Sequence, residues 1–201
     1  MYTLYDYLPS GNGYKVRLLL TQLGLPFERI EMDILKGATR TAEFLAINPN
    51  GRIPVLRLPD GRLLAESNAI LYFLAQDSEF FPADSFARGL VMQWLFFEQY
   101  SHEPYIATSR FYLTVSGTPE KYARQLERKR PGGIAALNVM EQYLEQRRFF
   151  VGDRYSIADI ALFAYTHTAP DGGFSLDPYP AIRAWLARVA GQAGHIPLTR
   201  A

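Results

Sequence analysis

The stretch from Gly51 to Leu74 constrains this chain more than any other. Ile53 and Val55, followed by Leu56 and Leu58, form a short strand pattern, and Leu63 to Ala65 forms a second. Asp60-Gly61 between them is a hairpin turn signal, because glycine accepts the positive φ that such turns require. Glu66-Ser67 then opens a helix whose apolar residues fall at 70, 71, 73 and 74. Pro54 cannot donate a ladder hydrogen bond, so its place at the start of a strand is unusual, and it is a candidate for a cis peptide bond. Ser67, beside an acid, reads in two ways. It is an N-cap that satisfies orphan helix amides, or a seat for an anionic ligand drawn by those amides and the positive helix end.

The chain has 201 residues, enough for one large or two small domains and for a sizeable buried core. A net charge of +1 gives no electrostatic footprint for a nucleic acid or an acidic membrane. No apolar run approaches a membrane span, and the start, Met1 to Tyr5, reads as a strand rather than a signal peptide, so a cytoplasmic protein is expected. There is no cysteine, which excludes disulfides and thiolate-bound zinc, and His102, His167 and His195 have no metal-ligand spacing. No metal is expected. Any thiol chemistry must use sulfur supplied by a small molecule.

In order, residues 2–8 predict a strand, Pro9 to Gly13 a break, and Tyr14 onward a helix closed by Gly24 at C′ with Pro26 beyond. Phe27 to Ile34 predicts a strand, Thr41 to Ile47 a short helix, and Asn48 to Gly51 a turn. The order β-α-β-α-β-β-α predicts a thioredoxin-like sheet over residues 1–76, followed by a linker at 77–85. Residues 86–201 predict an all-helical domain. His102-Glu103-Pro104 is a candidate kink, Thr118 a candidate N-cap, and Pro131-Gly132-Gly133 a candidate bend. Ser156 with Asp159 forms a capping-box pattern, flanked by Tyr155 and Ile160 as a hydrophobic staple, and reads as structural. A final helix from Tyr179 to about Ala190 carries Ile182, Trp185, Leu186 and Val189 on one face.

The Ile53-Pro54 pair, the hairpin, Glu66-Ser67-Asn68-Ala69-Ile70 and the capping box together resemble the cytosolic glutathione transferase family over nearly the whole chain. That resemblance implies an α/β plus all-α protein whose first domain binds glutathione. Ile53, before Pro54, would pair by its backbone with the cysteinyl part, and Glu66 with Ser67 would hold the γ-glutamyl end. The loop is similar to those of the serine-type delta and zeta classes and of the nu-type bacterial relatives. On that likeness Ser10 would activate the thiol, with Asn12 next; Tyr7, placed like the tyrosine of the alpha, mu and pi classes but equally a strand aromatic, comes third. The family often has a cysteine where this chain has Gly13, and its absence argues against mixed disulfides on the protein. Arg52, Thr39, Arg40 and Asn50 are candidates for the glycyl carboxylate, each weighed against an ordinary surface role; Asn68 could simply support the helix start.

A thiol has a reference pKa of about 8.5, and lowering it by two units needs about 2.7 kcal/mol. A helix N-terminus supplies roughly 0.3–1 kcal/mol, so a direct hydrogen bond must add the rest. The second substrate would be a small apolar electrophile. Phe96, Phe97, Tyr100, Tyr105, Phe111 and Tyr112 are rich enough in aromatic surface to line its pocket, although most read as core. Tyr105 and Tyr112 are the candidates, and Phe174 is another. The implied activity is conjugation of glutathione by a homodimer. The rivals are glutathione-dependent disulfide or peroxide reduction, and a non-catalytic binding module of the same fold.

Overall fold

The computed structural model describes residues 1–200. The chain divides into two compact units: Met1–Ser78 together with the tail from Ala193, and Glu79–Gln192. The tail thus belongs to the first unit, not to the helical domain in which the sequence places it.

The first unit is a four-stranded sheet, β1 (Tyr2–Asp6), β2 (Phe27–Glu31), β3 (Val55–Arg57) and β4 (Leu63–Ala65), in the order β2-β1-β3-β4. β1 is parallel to β2 and antiparallel to β3, and the β3–β4 hairpin closes through Gly61 at a φ of 88°. The helices are α1 (Gly11–Gln22), α2 (Ala42–Ile47) and α3 (Ser67–Ala75). Alternation along the strands divides the core. Leu4 and Leu56 pack with Val16 and Leu20 of α1 and Ile70 of α3, while Tyr5 and Val55 on the opposite face meet Phe44 of α2. α1 ends as its sequence predicts, in a Schellman motif. Gly24 has a φ of 65°, and the Leu25 and Gly24 amides bond the Leu20 and Thr21 carbonyls at 2.9 and 3.0 Å. Its start differs from the expectation. β1 stops at Asp6 and α1 begins at Gly11, because Ser10 caps the helix and draws Asn12 and Gly13 into its first turn.

The second unit is helical: α4 (Ser85–Phe97), α5 (Glu103–Arg110), α6 (Ala123–Leu144), α7 (Ile157–Thr166) and α8 (Pro180–Ala190). Wide π turns at Glu98–His102 and Phe111–Val115 adjoin α5, and Pro104 is its second residue. Thr118 makes no capping bond. α6 runs unbroken through Pro131. The glycines after it serve packing: a Cβ on Gly132 would fall 2.4 Å from the Tyr105 ring, and one on Gly133 2.3 Å from the Phe174 ring.

All ten residues of α7 are buried, as befits a helix apolar on every side. Its start is the capping box read from the sequence. Asp159 does more than cap. It accepts from the Ser156 amide at 3.0 Å, the Ser156 hydroxyl at 3.1 Å, the Phe150 amide at 3.1 Å and the Trp185 indole at 2.9 Å. Burial nevertheless pushes its carboxyl up to about 6, against the pull of those donors. Asp159→Ala should cost about 3 kcal/mol in urea unfolding, since it strands several buried donors. The folded chain also keeps the Asp159 proton to a higher pH than the unfolded chain does. Its contribution to stability should therefore fall as pH rises from about 4 to about 6, and Asp159→Asn should remove that part of the slope; equal slopes in the two proteins would contradict this.

Candidate functional site

The site starts where β1 gives way to α1. The Ser10 amide donates to the Tyr7 carbonyl at 2.7 Å, turning the chain sharply. Ser10 is extended, with φ −75° and ψ 124°, and its Oγ accepts from the Gly13 amide at 3.3 Å. A hydroxyl that accepts an amide hydrogen still has its own proton to donate. Asn12 lies in the first turn of α1.

Glu66 has φ 70° and ψ 115°, the one positive φ among the described non-glycine residues. That conformation costs about 1–3 kcal/mol and is typical of functional turns. It also makes Glu66, not Ser67, the residue that precedes α3, and α3 has no side-chain cap. The capping reading of Ser67 therefore does not hold: it is the first helical residue, with its hydroxyl directed elsewhere. That Oγ, in a residue only 5% exposed, donates to Asn12 Oδ1 at 3.1 Å. Lys15, fully buried, reaches Ser67 Oγ at 3.4 Å and Asn68 Oδ1 at 3.5 Å. The first turns of α1 and α3 thus meet, and two positive helix ends share one place.

The Ile53–Pro54 bond is cis. Val55 is the first ladder residue, opposite Tyr5 and Ala65, so the backbone groups of half-buried Ile53 lie outside the ladder. The turn before it is fixed by Asn48, whose Nδ2 donates to the Arg52 carbonyl at 2.8 Å and whose Oδ1 accepts the Asn50 amide at 3.1 Å. Arg52 is exposed. Thr39, 5% exposed, sits in a short 3-10 turn whose carbonyl would be 3.0 Å from a Cβ on Gly51, so that segment buttresses the turn. Arg40 Nη1 donates to the Asn50 carbonyl at 3.4 Å.

Behind the loop lies a buried ion pair, Arg17 Nε to Asp6 Oδ2 at 2.9 Å, with both side chains fully buried. Desolvation pushes the Asp6 carboxyl up to about 6 despite Arg17, and burial lowers the Arg17 guanidinium from its usual range. Asp6 also explains Gly13: a Cβ there would lie 1.5 Å from Asp6 Oδ1. Tyr7 is half-buried, and burial first, then Asp33 and Glu31, hold its phenol above its ordinary range.

The aromatic candidates belong to the second unit and have partners within it. Tyr105 packs on Gly132, with Lys129 Nζ 5.8 Å from its ring centre. Tyr112 stacks on Tyr122 with centroids 4.0 Å apart. Phe174, 5% exposed, is core against Gly133.

Two family models match in succession: the N-terminal domain of glutathione S-transferase over residues 9–77, and its C-terminal domain over residues 94–193. The chain belongs to the glutathione S-transferase family. It is similar to the crystal structure of a glutathione S-transferase from Pseudomonas fluorescens, at 52% identity and a TM-score of 0.96, covering 99% of each chain. It is 31% identical over 190 residues to the disulfide-bond oxidoreductase YfcG of Escherichia coli, covering 91% of this chain and 87% of that protein. It is also similar to the glutathione transferase URE2P6 of Phanerochaete chrysosporium in complex with oxidised glutathione. That match has 28% identity and a TM-score of 0.86, covering 96% of this chain and 92% of the other.

For this transferase-family chain, the sequence reading missed Asp6, Lys15 and Arg17. The signal was present: Tyr14 to Leu20 is buried at every position, and Val16 with Leu18 to Leu20 is too apolar for a one-sided surface helix. Charges inside such a helix must be paired or hydrogen-bonded. Gly13→Ala should cost about 2–3 kcal/mol, because neither the strand end nor the carboxylate can retreat from the new methyl. A melting temperature equal to that of the parent would contradict the placement of Asp6.

Proposed function

We propose that this protein binds glutathione along Ile53 and the start of α3, ionises its thiol at Ser10, and transfers it to a small apolar electrophile. The observation that carries this is the 3.1 Å bond between Ser67 and Asn12, which brings two helix N-termini to one place beside the Ser10 hydroxyl. Such a place favours a ligand with two separated negative charges, a carboxylate and a thiolate. Solved relatives with glutathione or oxidised glutathione bound support the choice of tripeptide. The γ-glutamyl carboxylate takes the first amides of α3 and the Ser67 hydroxyl, with Glu66 turned into place by its left-handed backbone. The cysteinyl part pairs with the Ile53 backbone beside Pro54, and the glycyl carboxylate meets Arg52, with the Thr39 segment in support. Ser10 donates to the sulfur, and Asn12 holds the helix start in register.

The attacking sulfur forms a bond to carbon as the leaving group departs with its electron pair. The protein lowers the thiol pKa and holds the reactants together. Half-buried Tyr105 and Tyr112 are the proposed contacts for the electrophile, and a homodimer is the proposed assembly. The large exposed apolar side chains Phe86, Phe96 and Tyr100 of the second unit suit burial in such an interface.

A second reading, glutathione-dependent disulfide reduction, is favoured by the likeness to a disulfide-bond oxidoreductase and by the Ser10-Gly11-Asn12 loop. There, two glutathione thiols reduce one disulfide and leave as oxidised glutathione, with no protein cysteine required. Turnover with an aryl halide, a hydroperoxide and a small disulfide separates the two readings, and glutathione binding without any turnover would favour a binding module. In either chemistry Ser10→Ala should raise the pKa of the bound thiol by about one to two units and lower kcat/KM about 10- to 100-fold. Ser67→Ala should instead weaken glutathione binding. An unchanged thiol titration in Ser10→Ala would transfer the role to Asn12 or Tyr7.

A further inference from the structure

The tail from Ala193 lies along α1 and is bound by side chains of that helix. Gln22 Nε2 donates to the Ala193 carbonyl at 3.3 Å and the Tyr14 hydroxyl to the Ile196 carbonyl at 2.7 Å. Arg17 Nη1 donates to the Leu198 carbonyl at 2.9 Å and also to the carbonyl of Arg200. Gly194, at a φ of 69°, lets the tail approach Gln22, where a Cβ would fall 3.3 Å from the Gln22 backbone. Tyr14 and Arg17 are fully buried and Ile196 is 4% exposed, so the contact is a packed one.

Arg17 does not stop at the tail. Its Nη2 donates to the Leu8 carbonyl at 2.8 Å and its Nε faces Asp6 at 2.9 Å. Leu8 is two residues before Ser10. The guanidinium is rigid and planar, so the direction of one edge fixes the others. Tail carbonyls hold one edge, Asp6 another, and the third holds the backbone that delivers Ser10.

We infer that residues Ala193–Arg200 are a strap that positions the thiol-activating loop, and that Arg17 is the positioning residue through which the strap acts. The inference rests on the proposed role of Ser10. A guanidinium that loses its tail acceptors has buried donors to satisfy, and it turns or draws in water. The Leu8 carbonyl then loses a fixed partner, and Ser10 drifts from the place where its proton meets the sulfur. Displacements of that order weaken a preorganised site without abolishing the fold.

The test uses two full-length variants. Arg17→Lys keeps a positive charge for Asp6, but one ammonium cannot serve Asp6, Leu8 and the tail together. Tyr14→Phe removes the hydroxyl that holds the Ile196 carbonyl. Amide exchange is read at Ser10 and Gly13, with Tyr5 and Val55 in the sheet as internal references, and the thiol of bound glutathione is titrated. Arg17→Lys should speed exchange at Ser10 and Gly13 about tenfold relative to the sheet and raise the thiol pKa by about one unit, and Tyr14→Phe should do the same to a smaller degree. Loop exchange unchanged relative to the sheet in both variants would overturn the strap. So would a lowered melting temperature with the thiol titration unmoved. A parent protein that binds no glutathione would instead sink the proposed function, and the exchange measurement alone would then decide the strap.

Discussion

One hydrogen bond, from the Ser67 hydroxyl to the Asn12 side chain, joins two helix beginnings that would otherwise repel each other. Each N-terminus carries roughly half a positive charge. Their meeting is arranged by the β3–β4 hairpin, which sends the chain into α3 beside the parallel pair that launches α1. The left-handed backbone of Glu66 completes the arrangement, at a conformational cost that ordinary helix capping would avoid. An electropositive concentration of this kind suits the proposed ligand, which brings a carboxylate and a thiol to be ionised. The chain has no cysteine, so on that proposal the sulfur comes with the ligand.

The support beneath the loop is electrostatic. Asp6 and Arg17 bury a full ion pair behind Ser10, an arrangement whose desolvation cost commonly rivals its attraction. Its value lies in geometry. The pair fills the space at Gly13, fixes the Leu8 carbonyl and reaches the tail, so the end of the chain and the first loop become one structure. Asp159 has the same character in the helical unit, where a single carboxylate ties the start of α7 to Phe150 and Trp185.

Much of this was legible in the residues. Asp60-Gly61 announced the hairpin, Gly24 with Pro26 the end of α1, and Ser156 with Asp159 the start of α7, because each depends on contacts within a few residues. The features that escaped depend on distant partners. Pro131-Gly132-Gly133 reads as a bend or break, yet α6 continues through it, and the two glycines instead admit aromatic rings from elsewhere in the chain. Ser67 reads as a cap or as a seat for an anion, and what excludes the cap is a bond to Asn12, 55 positions away. The tail reads as an irregular end of the helical domain, yet its carbonyls answer Tyr14 and Arg17, which periodicity alone cannot foretell. Tyr105 and Tyr112 share a plausible spacing, but a wide π turn begins at Phe111, between them.

A crystal structure of the protein with glutathione bound tests the central idea most directly. The account predicts the γ-glutamyl carboxylate on the first amides of α3, the cysteinyl backbone beside Ile53, and the sulfur within hydrogen-bonding reach of Ser10. A tripeptide bound away from the junction of α1 and α3, or one whose sulfur faces Tyr7 with Ser10 idle, would contradict it.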